Sequence, residues 1–364
     1  MPSTYITRTP TSNSASRTAI TVSMWIKRSG LGALGTLFHT TTSNSGYLYM
    51  ALNVDDQIDF ALQNTNYTQS APTGFKERKI TNRKLRDTNG WYHIVCTVDT
   101  SLATATDRLK IYINGEQETS WSHETNNTQQ NQALPSLIGS TSYPYNIGRQ
   151  GNNSYFYNGS ISHFHYVDGT AYGASTFGST DSTTGEWKIN VDPSVTYGTN
   201  GFFILKDGNS VTDQSGNGNN FTVGAGTLTK TEDCPDNVFC TWNRLAKGSY
   251  IDMNYGNTNV YGNTSTNNGN TWGTISFPPS GKYYWETKVI SYHANASSGY
   301  PQIGIIRDNT ISQGDMNGGT GGYVSSSNDC YYPAGGTTIY SKNGNVTVSA
   351  TSLNDIIMCA MDST

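Results

Sequence analysis

The feature that most narrows what this chain can fold into is a succession of short apolar runs of period two, each cut off by turn-forming residues. They read TAITVSMWIKR, GYLYMALN, QIDFALQ, WYHIVCTVD, RLKIYING and YFYNGSISHFHYVDG, followed by KYYWETKVISY and PQIGIIR. Successive side chains on a strand face opposite ways, so such runs place one face on a core and the other outward. Each has the length of a strand and stops at Gly, Asn, Asp, Ser or Thr, and no long helical pattern competes with them. Parallel strands would need helical crossovers, so the expected fold is all-β, built of tandem antiparallel β-sandwiches. The 364 residues suffice for two or three domains, each with a sizeable core.

Composition removes several classes of function. Charged residues make up 13% of the chain and aromatics 12%, with 24 Tyr, which does not fit a charge-driven disordered chain. Lys and Arg number 22 against 26 Asp and Glu, a net charge of -4, so there is no basic excess for a nucleic-acid groove. No apolar segment approaches the roughly 20 residues that span a bilayer, and the first residues lack a basic stretch followed by an apolar block. The expectation is a chain with neither a nucleic-acid partner nor membrane insertion. Cysteines at 96, 234, 240, 330 and 359 have no paired zinc spacing; Cys234 and Cys240 either bridge through a turn or stay reduced.

The first unit is expected over residues 18–198, after an N-terminal arm at 1–17 that orders against a partner. Ile113-Asn114-Gly115 marks a tight reversal after RLKIY. Trp25, Trp91, Tyr92, Phe156, Phe164 and Tyr166 supply core area. TVSMWIKRS (21–29), NGWYHIVCTVD (89–99), LKIYINGE (109–116) and FYNGSISHFHYVDG (156–169) resemble, in this order, strands of the concanavalin A-like jelly roll in its laminin-G or pentraxin-like branch. The resemblance implies a sandwich and leaves function open, because that fold serves sugar binding, protein binding, glycan cleavage and particle building alike.

Several constellations bear on chemistry. Glycosidases of the resembled fold would carry an E-x-D-x-x-E strand; none is present, and Glu116 and Glu118 read as solvent-facing hairpin residues, so no catalytic residue is assigned and no enzyme is expected. Asp55, Asp56 and Asp59, with Asn53 and Asn64 nearby, offer hard oxygen ligands for calcium, the one cofactor considered and none being required. Asp207, Asp213, Asn217 and Asn219 read as a structural turn, with calcium ligation the weaker reading. His163 and His165 could begin a transition-metal site, completed by His39, His93 or His123. Tyr143, Tyr145, Tyr155 and Tyr157 are the glycan-binding candidates, since tyrosine rings pack on the less polar faces of sugars.

Residues 199–245 read as a connector, with Phe202–Leu205 completing or docking on a sheet. From 246 to 364, GKYYWETKVI, PQIGIIRD and DIIMCAMDST resemble three strands of a SPRY-like sandwich, whose last apolar strand would need further cover; the sandwich is expected to continue in a longer chain. Tandem modules of these two kinds, with low charge and abundant Thr, Ser, Asn and Gly, are similar to structural proteins of tailed bacteriophages. That resemblance implies a virion protein in a tail fibre or fibre-like appendage, homo-oligomeric, bound to other virion proteins and to a bacterial surface glycan. The alternative is a capsid decoration or scaffold protein without receptor specificity; a glycan-processing enzyme ranks below both.

Overall fold

A computed structural model of the protein describes residues 4–40, 48–63, 75–151, 153–262, 269–278, 280–291, 302–305, 330–333, 336–341 and 344–362. The chain divides into two compact units, Met1–Phe239 and Cys240–Thr364. The fold is all-β and antiparallel, and the described residues contain no α-helix.

Among the described residues, the strands of the first unit are β1 (Tyr5–Arg8), β2 (Ala19–Arg28), β3 (Gly35–Thr40), β4 (Leu48–Leu52), β5 (Gln57–Gln63), β6 (Phe75–Lys84), β7 (Tyr92–Asp99), β8 (Leu109–Ile113), β9 (Glu116–Gln117), β10 (Trp121–Asn126), β11 (Tyr145–Ile147), β12 (Gly159–Asp168), β13 (Gly178–Thr180), β14 (Trp187–Ile189), β15 (Phe202–Ile204) and β16 (Thr222–Ala225). Eight form one sheet in the order β10-β6-β5-β4-β3-β11-β1-β16, and six form the other in the order β15-β12-β2-β7-β8-β9. Alternation supplies the core between them: Ile20, Val22, Met24 and Ile26 of β2 meet Phe38, Met50 and Phe60 from the larger sheet, all buried. The predicted reversal is a two-residue hairpin turn with Asn114 at φ 50° and Gly115 at φ 82°, joining Ile113 to its partner Glu116. A Cβ on Gly115 would also lie 2.4 Å from the Trp187 ring, so this glycine serves both the turn and a close approach.

The tract read as an arm enters the sheet, because β1 lies between β11 and β16 with Ile6 buried. The connector likewise supplies β15 to the smaller sheet and β16 to the larger. Asp213 holds this stretch: its carboxylate accepts from the backbone N–H groups of Phe203, Ser215 and Asn219 and from the Ser215 hydroxyl. Arg8 donates to Asn219 Oδ1, tying β1 to the same loop. With its carboxylate saturated by protein donors, Asp213 is the structural turn residue that the spacing predicted.

The outer face of the six-stranded sheet is also dry. Residues 169–198, including the β13–β14 hairpin, cross it and bury Val95, Val167 and Phe203 under Ala174, Phe177 and Tyr197.

The second unit contains β17 (Trp242–Lys247), β18 (Ile251–Asn254), β19 (Asn259–Gly262), β20 (Thr271–Gly273), β21 (Lys282–Lys288), β22 (Gln302–Ile305), β23 (Cys330–Pro333), β24 (Thr338–Ser341), β25 (Val346–Thr347) and β26 (Ile356–Asp362). β21 pairs with β26 along seven residues, from Lys282 opposite Asp362 to Lys288 opposite Ile356. These are the first and last of the three segments likened to a SPRY-like sandwich; of the middle one, Pro301 and residues 306–308 lie outside the described residues.

Candidate functional site

The four candidate tyrosines are not one platform. Tyr145 belongs to the core, fully buried and packed on Phe38 and Tyr166, because its register opposite Thr40 and Arg8 turns it between the sheets. It is therefore withdrawn as a ligand contact. Tyr157 is half-buried against the core, and its hydroxyl donates to the Lys27 carbonyl at 3.0 Å. Tyr143 is half-buried, and Tyr155 is 46% exposed.

The candidate calcium ligands do not converge. Asp56, at positive φ, pairs with Arg28 at 2.8 Å and Arg86 at 3.2 Å and accepts from the Gly32 N–H. These donors hold its carboxyl below the usual range against the opposing effect of burial, which is the largest influence. Asp59 takes a two-pronged bond from Arg78, at 2.7 and 3.0 Å, and Asp55 is exposed with Lys84 at 3.7 Å. Each carboxylate has its own cation, and Asn64 lies outside the described residues. Among the described residues no group of three or more His, Cys, Asp or Glu is placed to hold a metal ion.

The histidines serve packing. The register of β12 shifts between Ser162 and His165, and His163 sits in that irregularity at φ 45°. His163 bonds Ser162 Oγ at 2.8 Å, whereas His165 stacks on Phe203 at 3.9 Å and bonds the Tyr197 hydroxyl at 2.8 Å. His93 is stacked between Trp25 and Trp187, with centroids 4.8 and 5.9 Å away. Trp187 Nε1–H donates to His93 Nδ1 at 2.9 Å, which leaves the imidazole proton on Nε2, facing Ser23 Oγ at 2.9 Å. Burial pushes His93 down to about 3 and His163 to about 4, and holds His165 well below its ordinary value. Cys234 and Cys240 are both free thiols.

Polar and aromatic groups gather instead on the outer side of the eight-stranded sheet, beside β1 and β11. Register places Tyr5 and Thr7 of β1, Asn146 of β11 and His39 of β3 on this side, opposite the core-facing Ile6, Tyr145 and Phe38. After β11 the chain makes an excursion and returns at Phe156, which bridges to Thr36. Within it, the Gly151 N–H donates to His39 Nδ1 at 3.2 Å, and Tyr155 is exposed. The Arg149 guanidinium lies 3.5 Å from the Tyr5 ring centroid, a stack worth about 0.5–2 kcal/mol. Its Nε and Nη2 both donate to Asn146 Oδ1, at 3.2 and 3.0 Å. Phe156 lies tilted at 45° to Tyr5, 6.4 Å between centroids, and a Cβ on Gly224 would strike the Tyr5 ring at 2.1 Å. The rim therefore combines a stacked cation, held by the fully buried Asn146 amide, with an exposed phenol able to pack on a sugar ring.

Tyr5 and Arg149 escaped the sequence reading because 140 residues or more separate β1 from the excursion in the chain. The signal present was the YITR alternation before a turn-rich stretch.

Residues 3–170 match the family model described as the Concanavalin A-like lectin/glucanases superfamily. The N-terminal fold is concanavalin A-like. Solved structures similar to this chain include a heptameric SAP-like pentraxin from Limulus polyphemus, 15% identical, covering 64% of this chain and 90% of that one with a TM-score of 0.38. A putative carbohydrate binding protein from Bacteroides ovatus is 17% identical, over 65% of this chain and 60% of its own, with a TM-score of 0.39. The CBM40 of the Ruminococcus gnavus IT-sialidase is 11% identical over 46% of this chain and 90% of its own, with a TM-score of 0.31. No curated protein matches the chain.

Proposed function

We propose that the concanavalin A-like unit is a lectin-like module that binds glycans at the Tyr5–Arg149–Tyr155 rim. We further propose that the chain does so as a virion protein in a phage fibre or fibre-like appendage, attaching it to a bacterial surface. The observation that carries the binding reading is the stacked guanidinium and, six residues along the same excursion, an exposed tyrosine, on a fold whose family model includes lectins. The virion setting is supported by the sequence resemblance of the tandem modules, and an oligomer would convert weak single sites into avidity. Binding without hydrolysis is the reading for the acidic residues as well: Arg83 holds both Glu116 and Glu118 at 2.8 Å, which supports a structural role for that pair.

A capsid decoration or scaffold role is the second reading. It is favoured by the apolar side chains on one face of the β21–β26 pair, where Tyr284 is 59% and Met358 69% exposed. The deciding experiments are a glycan-array measurement on the full chain and its localisation in intact particles by cryo-electron microscopy. Glycan binding with density on an outward appendage is expected; a regular array over a capsid and no glycan binding would select the scaffold reading.

A further inference from the structure

We propose that the rim selects acidic glycans, with Arg149 meeting the anionic group of a uronate or sulfated sugar; this rests on the glycan-binding reading above. The argument begins with burial. Arg149 is only 8% exposed, and a charge so far removed from water is costly unless it is paired. Several arginines elsewhere in the unit meet that requirement, although Arg8, equally buried, donates to the neutral Asn219 Oδ1. Arg28 and Arg78 are bonded to Asp56 and Asp59, and Arg108 donates to the carbonyls of Leu102, Ala103 and Thr128. Among the described residues the ion pairs engage Arg28, Arg78, Arg83, Arg86 and Arg244, and not Arg149. Its partners are one amide oxygen and one aromatic ring, both neutral.

The geometry also leaves a donor over. With one face of the guanidinium on Tyr5 and both Nε and Nη2 turned to Asn146, Nη1 remains for an incoming oxygen. An anionic oxygen there gains a charge-assisted bond and neutralises the site, whereas a sugar hydroxyl gains only the bond. The exposed Tyr155, six residues along the same excursion, provides a surface for the rest of the sugar ring.

The test titrates the full chain by calorimetry with three sets of oligosaccharides of matched length: hexuronic acids, sulfated sugars and neutral sugars. The expected result is at least about tenfold tighter binding of one acidic set than of the neutral one, a ratio that shrinks as salt is raised from about 50 to about 500 mM. Arg149→Gln should bring that ratio to about one, and Arg149→Lys, which keeps the charge, should retain part of it. The preferred acidic set identifies carboxylate or sulfate as the group recognised. Equal or tighter binding of neutral sugars, or a preference that survives Arg149→Gln, overturns acid selection and leaves glycan binding standing. Absence of binding to all three sets overturns both. Should Arg149→Gln fail to fold, the salt dependence and the lysine variant still decide.

Discussion

Two residues outside the rim show how strongly single side chains are committed in this unit. Lys27 is fully buried on the outer face of the six-stranded sheet, and its ammonium pairs with Asp233 at 2.8 Å, while Trp91 Nε1–H donates to the same oxygen. Breaking a buried pair from one side leaves the other charge without a partner, so Lys27→Met is expected to cost about 3–5 kcal/mol, and Lys27→Met with Asp233→Leu markedly less. Urea melts of the single and double variants check this; a double variant no more stable than the single ones would refute it. At the rim, Tyr155→Ala should weaken glycan binding about tenfold without shifting the melting curve, since the ring is exposed. The VDDQID carboxylates were legible as a cluster but not as ion-pair partners, because Arg78 reaches Asp59 through the β5–β6 pairing and Arg28 reaches Asp56 from a strand of the other sheet.

At the scale of elements, the cover over residues 169–198 is the part most exposed to pH. His93 and His165 sit beneath it with no carboxylate acting on either; His163 has Asp207 and Asp236 acting in its favour and Lys206 against it. Their folded values lie below the ordinary 6.5, so the closed cover is fully stable above that pH. As pH falls below 6.5, the opened state takes up protons that the closed state refuses, and closure weakens progressively toward about 3. At pH 5 the penalty is about 30-fold in the opening equilibrium for His93 alone. Hydrogen exchange, corrected for intrinsic rates, should therefore report faster opening of residues 178–189 at pH 5 than at pH 7.5. Equal protection at both pH values would refute it. Alternation along SHFHY suggested two histidines on one side of a strand; the irregularity at Ser162–His165 gave each a different partner.

For the molecule as a whole, the first unit closes with its most distant segments. β1 and β16 are neighbours in the larger sheet although 213 residues lie between Arg8 and Thr222, the first residue of β16. Removing residues 1–9 deletes the buried Ile6 and the Arg8–Asn219 bond, and is expected to cost on the order of 3 kcal/mol, or roughly 6–12 °C in Tm. Thermal melting by circular dichroism checks it; an unchanged Tm would mean that the tract is a dispensable arm after all. Period-two alternation by itself determined the fold class, the positions of β2, β4, β5, β7, β8 and β12 and the Asn114-Gly115 hairpin, because a strand's two faces and a tight turn are encoded within a few residues. The tertiary structure alone decided which tyrosine stays exposed, which carboxylates are paired and that Tyr5 stacks on Arg149. Those outcomes depend on strand order and register, and a jelly roll sets both between segments far apart in the chain.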